Sequence, residues 1–453
     1  MNYIKTIWDL WHLKRNEKKS VAEISALQNK KLKRLLHYAY EHSAYYRSSF
    51  TRAGITAETI DSTPLSAFPV IDKSVLMSQF EEIVTAPELT QEEIRRFDEQ
   101  ETVGGKLFRG RYHIVHSSGS TGTPKYFVYD ESAWNYMLLG IVRGALWNMT
   151  MPQIFRFLAH GPRIIYLAAT NGRCGGAMAV SDGINGVGAK QMYLDINAPV
   201  EDWIQNIKAF RPNMIIGYPS AVKILAELVC KGSLSLKALR IVTCGEPLGT
   251  GLRKYLENVF ETEVINFYGA SESLSIGVES SSQEGMLLFD DMNVIEMQDG
   301  AMYLTCLYNF AQPLIRYRLS DQLTLQAPDE DSRYPFIRAA GLLGRNEDIL
   351  WFQDENGKKE FLHPLAVEGF CIQGLCDYQF RQISPDTFEM LAEVPDDALR
   401  ETVREEILRQ MKTILREKGL GYVQFFVRFV PEILPDPKTG KKRLILAGEE
   451  DAI

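Results

Sequence analysis

From residue 213 onward the chain alternates short apolar runs with stretches whose apolar residues recur every three to four positions. Residues 214–218, 240–244 and 264–268 read as strands, and 220–231 and 252–260 as helices, the first of them ended by Gly232. A β-α-β-α-β order predicts a parallel sheet with helices on its faces. Open sheets of that kind bind ligands at the carboxyl ends of their strands. Those ends are Gly217-Tyr218-Pro219-Ser220, Gly245-Glu246-Pro247 and Gly269-Ala270-Ser271-Glu272, three loops of small or polar residues on one rim.

Upstream, the stretch 21–46 carries apolar residues at helical spacing (Ile24, Leu27, Leu32, Leu35, Leu36) among many lysines, which predicts surface helices on a larger body. Beyond Gly344 the pattern changes again. Residues 349–352 read as a strand, Asn356-Gly357 as a turn and 359–362 as the returning strand. An amphipathic helix follows (Leu399, Val403, Ile407, Met411, Ile414, Leu415), closed by Gly419, and 423–430 is strand-like. The expected fold class is therefore α/β: a large N-terminal domain over 1–343, with parallel-rich sheets and flanking helices, and a small hinged α+β domain over 344–453. Two domains also suit a chain of 453 residues.

Composition narrows the chemistry. The formal charge is −8, from 50 Lys and Arg against 58 Asp and Glu, which disfavours a nucleic-acid partner. No apolar run approaches a membrane span, and the N-terminus, with Trp8 and Trp11 among Lys and Asp, lacks the continuous apolar core of a signal peptide. A cytoplasmic protein, monomeric or homodimeric, is the expectation. The six cysteines (Cys174, Cys230, Cys244, Cys306, Cys371, Cys376) form no C-x-x-C pair and no cluster with histidine, so a zinc site is not expected.

The sharpest local feature is Ser117-Ser118-Gly119-Ser120-Thr121-Gly122-Thr123-Pro124-Lys125. Glycines allow backbone N–H groups to turn toward an anion, hydroxyls donate further hydrogen bonds, and the terminal lysine adds positive charge. Strand-like segments at 112–115 and 126–129 flank the run, which sets it apart from a flexible linker. A Walker loop needs G-x-x-x-x-G-K-[ST] leading into a helix. Here Pro124 precedes Lys125, Tyr126 follows it and the next segment is a strand, so that reading fails.

Ser117 to Lys125 resembles the phosphate loop of the adenylate-forming superfamily, [ST]-[SG]-G-[ST]-T-G-x-P-K. Further matches follow in family order. Asn266-Phe267-Tyr268-Gly269-Ala270-Ser271-Glu272 resembles Y-G-x-[TS]-E, Arg316-Tyr317-Arg318-Leu319-Ser320-Asp321 resembles Y-R-T-G-D, and Gly344-Arg345-Asn346-Glu347-Asp348 resembles the hinge motif G-R-x-x-D. Gly440-Lys441-Lys442-Arg443 resembles the terminal G-K-x-R segment. The stretch 32–46 and Phe68-Pro69-Val70-Ile71-Asp72-Lys73 are similar to the phenylacetate–coenzyme A ligase branch, and within it to adenylating proteins associated with capsular polysaccharide synthesis.

The resemblance implies ATP and Mg²⁺ as cofactors and a small carboxylic acid as substrate. Ser117, Ser118, Gly119, Ser120, Thr121, Gly122, Thr123 and Lys125 would cradle the phosphates, and Glu272 would hold Mg²⁺ against them. Tyr268 would stack on adenine, with Gly269 and Ser271 beside it and Gly245-Glu246-Pro247 as the opposite wall. Asp321 would accept the ribose hydroxyls. Arg345 would reach ribose or phosphate across the domain junction, Asp348 would be the hinge, and Lys441 would enter from the small domain to stabilise charge on the α-phosphate. The acid would become an acyl-adenylate with release of pyrophosphate. The acyl group would then pass to coenzyme A, or to another carrier thiol or an amine.

Three departures from the family pattern stand out. Ser271 replaces the commoner threonine, Leu319-Ser320 stands where Thr-Gly is usual, and the turn after the hinge is the charged Asp354-Glu355-Asn356-Gly357-Lys358-Lys359. The segment 170–177 also lacks the histidine that often follows a Gly-Gly pair in the branch. Two other readings remain beside the ligase: an adenylyltransferase that leaves AMP on an acid or phenol, and a non-catalytic nucleotide- or acyl-binding component of polysaccharide assembly.

Overall fold

The computed structural model describes residues 3–100, 107–116, 125–159, 161–168, 189–195, 198, 200–319, 321–329, 332–345, 350–353, 359–362, 367, 370, 372–417, 419–434 and 444–446. The β-α-β-α-β run forms as strands Met214–Gly217, Arg240–Cys244 and Val264–Ala270 with helices Pro219–Cys230 and Thr250–Phe260 between them. Arg163–Ala168 and Lys190–Asp195 extend this parallel part to five strands. The chain then reverses at Ser271-Glu272. Ser273–Glu279, Met286–Leu288, Arg338–Arg345 and Asp321–Gln326 continue the same sheet antiparallel, to nine strands in all. The α/β class expected from the pattern is thus observed, with the parallel strands set in a nine-stranded mixed sheet.

The parallel strands are apolar because helices cover them. Ile215, Ile241, Val264 and Ile265 are fully buried, and helix Pro219–Cys230 turns Ala221, Val222, Leu225 and Ala226 inward. Gly217 is required by the close neighbouring strand, because a Cβ there would lie 2.6 Å from the Leu167 carbonyl oxygen.

The lysine-rich stretch near the N-terminus forms two helices, Val21–His42 and Ala44–Arg52. Ser20 and Glu23 make a capping box at the start of the first. Ser43 separates them: its N–H donates to the Ala39 carbonyl, and its hydroxyl accepts the Tyr46 N–H. Tyr46 in turn donates to the Pro313 carbonyl at 2.8 Å and accepts from the Ile315 N–H at 3.2 Å. The N-terminal helices therefore brace the segment that leads into Arg316-Tyr317.

A buried ion pair anchors the preceding helix, Tyr3–Asn16. Arg143 meets Asp291 through two hydrogen bonds of 2.7 and 3.0 Å with both side chains fully buried, and Asn16 donates to Asp291 at 2.8 Å. Burial pushes the Asp291 carboxyl up, but the Arg143 charge and hydrogen bonds outweigh that and hold it below its ordinary value.

Asp290, the adjacent residue, behaves oppositely. Its Oδ2 accepts the Ile337 N–H at 2.6 Å while its buried Oδ1 has no hydrogen-bond partner, and burial pushes the carboxyl up to about 7. The folded chain therefore keeps a proton here that the unfolded chain releases near its ordinary carboxylate value of about 4. The stability tied to this group is complete below about pH 4 and declines as pH rises toward about 7. Asp290→Asn, which stays neutral, is expected to raise the melting midpoint at about pH 8 by several degrees and to change it little at about pH 4. Equal shifts at both pH values would refute the assignment.

A second hydrophobic core lies wholly within residues 350–445. Phe380, Phe388 and Met390 pack on Val403, Ile407 and Met411 of helix Arg400–Glu417. Its sheet runs Gln424–Val430, Thr387–Glu393, Asp377–Ser384, Ile445–Leu446, and the strand pair Leu350–Gln353 and Lys359–Leu362 stands beside it as a separate two-stranded sheet.

Candidate active site

The strand-end rim carries the first part of the site. Gly245 follows strand Arg240–Cys244 with φ of +80°, a conformation that suits glycine and turns the chain off the sheet. Glu246 then faces the start of helix Pro219–Cys230, where its carboxylate accepts the Ser220 N–H and hydroxyl, both at 3.0 Å. A carboxylate at a helix N-terminus is favourable in itself. The structure thus gives Glu246 a positioning role that ties two strand-end loops together, with Gly245 exposed and Pro247 half-buried beside it.

Strand Val264–Ala270 ends in a bulge between Tyr268 and Ala270, and Ala270 pairs with Ser273 across the turn. Gly269 sits at this crowded point, where a Cβ would come within 2.4 Å of the Leu274 carbonyl oxygen. The Tyr268 ring is buried and its hydroxyl approaches the Met302 sulfur at 3.6 Å. The turn aims Glu272 inward. Its side chain is only 4% exposed, and Oε1 accepts from Lys125 Nζ at 3.1 Å.

Lys125 is held as carefully as Glu272. It immediately precedes strand Tyr126–Asp130, which pairs with Tyr112–His116 on one edge. On the other edge, two buried amide side chains stand in for a strand. The Val128 N–H donates to Gln312, and Gln312 and Asn309 donate to the Tyr126 and Val128 carbonyls. The ammonium lies 5.8 Å from the ring centres of both Phe127 and Tyr317, and 3.4 Å from the Tyr317 hydroxyl. Ser271 joins the cluster through its carbonyl, which accepts the Tyr129 hydroxyl at 2.8 Å.

Tyr317 lies inside the Arg316–Asp321 motif, but the motif itself gives its side chain no role. Its placement depends on contacts far away in the chain. Ile71 N–H donates to the Arg316 carbonyl at 3.3 Å and Arg318 N–H to the Ile71 carbonyl at 2.8 Å, so Ile71 bridges onto the short strand Tyr317–Leu319. Arg316 adopts a left-handed φ of +50°. Its buried guanidinium offsets that strain by donating to Glu296, Gln298 and the Ser66 and Phe68 carbonyls.

Asp321 and Arg345 are brought opposite each other at the ends of their paired strands. Strand Arg338–Arg345 pairs with Met286–Leu288 only through Arg338 and Ala339, so its Arg345 end projects beyond that strand. Ser117 to Thr123, Asp348, Lys441 and the segment 170–177 lie outside the described residues. Among the described residues no three His, Cys, Asp or Glu side chains converge as a metal cage. A single buried carboxylate is nonetheless the donor that Mg²⁺ takes when phosphates supply its other ligands, so Glu272 fits that ion. No described helix is long and apolar enough to cross a membrane.

The family model for AMP-binding enzymes matches residues 58–295, more than half of the chain, and spans Lys125, the strand-end rim and Glu272. The chain belongs to the AMP-binding enzyme family. Within it the chain falls in the phenylacetate–coenzyme A ligase branch. It is 24% identical to a phenylacetate–coenzyme A ligase of Thermus thermophilus, over 65% of this chain and 68% of the relative. It is 26% identical to one from Aromatoleum evansii, over 78% and 76%. Among solved structures, a 2-hydroxyisobutyryl-CoA ligase in the postadenylation state with 2-HIB-AMP has the same fold. The TM-score is 0.71 at 20% identity, covering 96% of this chain and 92% of that one. The placement reaches the branch and does not extend to its capsule-associated members.

Proposed function

We propose that this AMP-binding enzyme activates a carboxylic acid with ATP and transfers the acyl group to coenzyme A. The observation that carries the reading is the Lys125–Glu272 pair at the strand-end turn, its carboxylate buried and the Tyr317 hydroxyl against the ammonium. In the first step a carboxylate oxygen attacks the α-phosphorus of ATP, the bond to the bridging oxygen of the β-phosphate breaks, and pyrophosphate leaves. Acyl-AMP remains. In the second step the coenzyme A thiol attacks the acyl carbon, AMP leaves and the thiol proton is released.

Lys125 and the Ser117–Thr123 loop bind the phosphates, and Lys125 neutralises charge on them. Mg²⁺, held by Glu272, would supply further electrophilic stabilisation of the phosphates. Tyr268 and the Gly245-Glu246-Pro247 loop enclose adenine, and Asp321 binds ribose. Residues 344–453 are the small domain in this reading. They bring Lys441 to the α-phosphate for adenylation and turn about Arg345 and Asp348 for transfer. The coenzyme A acceptor is supported by the named activities of the phenylacetate–coenzyme A ligases above.

Acid-dependent exchange of labelled pyrophosphate into ATP tests the first step, with a panel of aryl, fatty, hydroxy and amino acids. Exchange is expected with a subset of the acids and should fall about 10²–10³-fold in Lys441→Ala. Product analysis tests the second step: acyl-CoA and free AMP should appear together. AMP left covalently on the acid or on a phenol would instead make the protein an adenylyltransferase. Failure to bind ATP would remove the enzymatic reading altogether.

A further inference from the structure

Helix Tyr3–Asn16 has a well-accounted inner face and an unexplained outer one. Inward, Leu13 is buried in the core with Leu10 packed beside it, and the Leu13 carbonyl accepts from Arg143 at 3.4 Å. Asn16 bonds Asp291, and Lys14 pairs with Glu17 at 3.0 Å. Outward, Trp8 is 58% exposed and Trp11 44%, their rings stacked at 5.4 Å. His12 packs edge-on to both, and the Arg15 guanidinium lies 5.4 Å from the Trp11 ring centre. Three of the other four tryptophans (Trp134, Trp147 and Trp203) are among the most deeply buried side chains, as the large apolar area of this residue favours.

Charge indicates what covers the outer face. Residues 1–34 hold nine Lys or Arg (5, 14, 15, 18, 19, 30, 31, 33, 34) against three Asp or Glu (9, 17, 23). Lys14 pairs with Glu17, and Lys31 turns inward to Tyr136 and the Asp291 carbonyl, so the exposed described cations of this segment are Arg15, Lys18, Lys30 and Arg34, on a chain whose net charge is −8. Arg15 is exposed one helical turn after Trp11, and Lys18 is exposed in the turn that follows Asn16, so cations border the C-terminal end of the aromatic face. A second copy docked through the same patch by a twofold axis would set this positive surface against itself. A bilayer with anionic headgroups satisfies both halves of the pattern. Tryptophans settle at the headgroup boundary, and lysine and arginine are drawn to the negative surface.

We infer that the N-terminal helix docks this enzyme in the plane of an anionic membrane surface, with Trp8 and Trp11 at the headgroup boundary and Arg15 and Lys18 facing the lipid phosphates. The helix lies on the surface: at 14 residues it is about 21 Å long, short of a bilayer's hydrocarbon thickness. The docking uses none of the residues placed in the nucleotide site.

The test is sedimentation of the full chain with vesicles of phosphatidylcholine alone and of equal parts phosphatidylcholine and phosphatidylglycerol, with tryptophan emission recorded in parallel. The protein should pellet with the anionic vesicles, with a blue shift in emission, and bind the neutral ones about tenfold less. Trp8→Ala/Trp11→Ala should cut the bound fraction about tenfold and abolish the blue shift, and Arg15→Glu/Lys18→Glu should remove the preference for anionic lipid. Thermal melting and pyrophosphate exchange in solution should match the unaltered protein for both double variants. Absence of binding to anionic vesicles would overturn the inference, as would binding indifferent to both double variants. A dimer seen by light scattering that Trp8→Ala/Trp11→Ala dissolves, with no vesicle binding, would assign the face to a second copy instead. Loss of exchange with intact vesicle binding would count against the proposed reaction and leave the docking standing.

Discussion

Glu272→Gln is expected to leave the protein folded and to slow acid-dependent pyrophosphate exchange about 10²–10³-fold, corresponding to about 3–4 kcal/mol of lost transition-state stabilisation. Glutamine keeps the shape of the side chain and can still accept from Lys125 at the position where Oε1 now lies, 3.1 Å from Nζ. It cannot supply the negative charge. In the nucleotide-bound enzyme that charge is what a hard cation would require beside the phosphates. Without it Lys125 loses the counter-charge for an ammonium whose side chain is only 19% exposed, although the Tyr317 hydroxyl remains beside it. Steady-state exchange and ATP binding by calorimetry, with and without Mg²⁺, separate the two consequences. Wild-type exchange in the variant would remove Glu272 from the mechanism. A melting midpoint lowered as much as the activity would make the pair structural only.

Removal of Asp291 should produce the largest loss of stability. Asp291→Ala leaves the Arg143 guanidinium fully buried without its carboxylate and takes the acceptor from Asn16. Breaking a buried pair from one side costs about 3–5 kcal/mol, enough to lower the first unfolding midpoint by roughly 5–10 °C. Arg143→Met/Asp291→Leu removes both charges and should melt closer to the wild type, because no ion is left without a partner. Since Arg143 holds the Asp291 carboxyl below its ordinary value, the stability it contributes is present above about pH 4 and is lost as pH falls further. A small shift for the single variant, or an equal one for the double variant, would show that the pair does not clamp the N-terminal helix.

Much of the site's framework was legible in the linear pattern. The strands Met214–Gly217, Arg240–Cys244 and Val264–Ala270 came within two residues of their expected bounds, because apolar runs between turn residues are set by near neighbours. The rim at their carboxyl ends followed from the parallel order. Less legible was the continuation into Ser273–Glu279, Met286–Leu288, Arg338–Arg345 and Asp321–Gln326, whose pairing joins segments far apart in the chain. The helical stretch 21–46 gave no sign that Ser43 would end one helix and begin the next, since its spacing is helical on both sides of the break.

Residue types and their spacing determined by themselves that this chain builds an α/β sheet with a polar rim, and the order of its motifs singled out Lys125, Glu272 and Asp321. Those properties depend on local period and on residues a few positions apart. The tertiary structure alone decided that Lys125 would meet Glu272, 147 positions away, and that the Tyr317 hydroxyl would stand against the ammonium. It also decided that Glu246 would cap a neighbouring helix and that Arg143 and Asp291 would be sealed together out of water. A charge acquires a large effect only when solvent is excluded around it and a partner is held within a few ångströms. Both conditions arise from packing between distant segments, so no local window of sequence contains them.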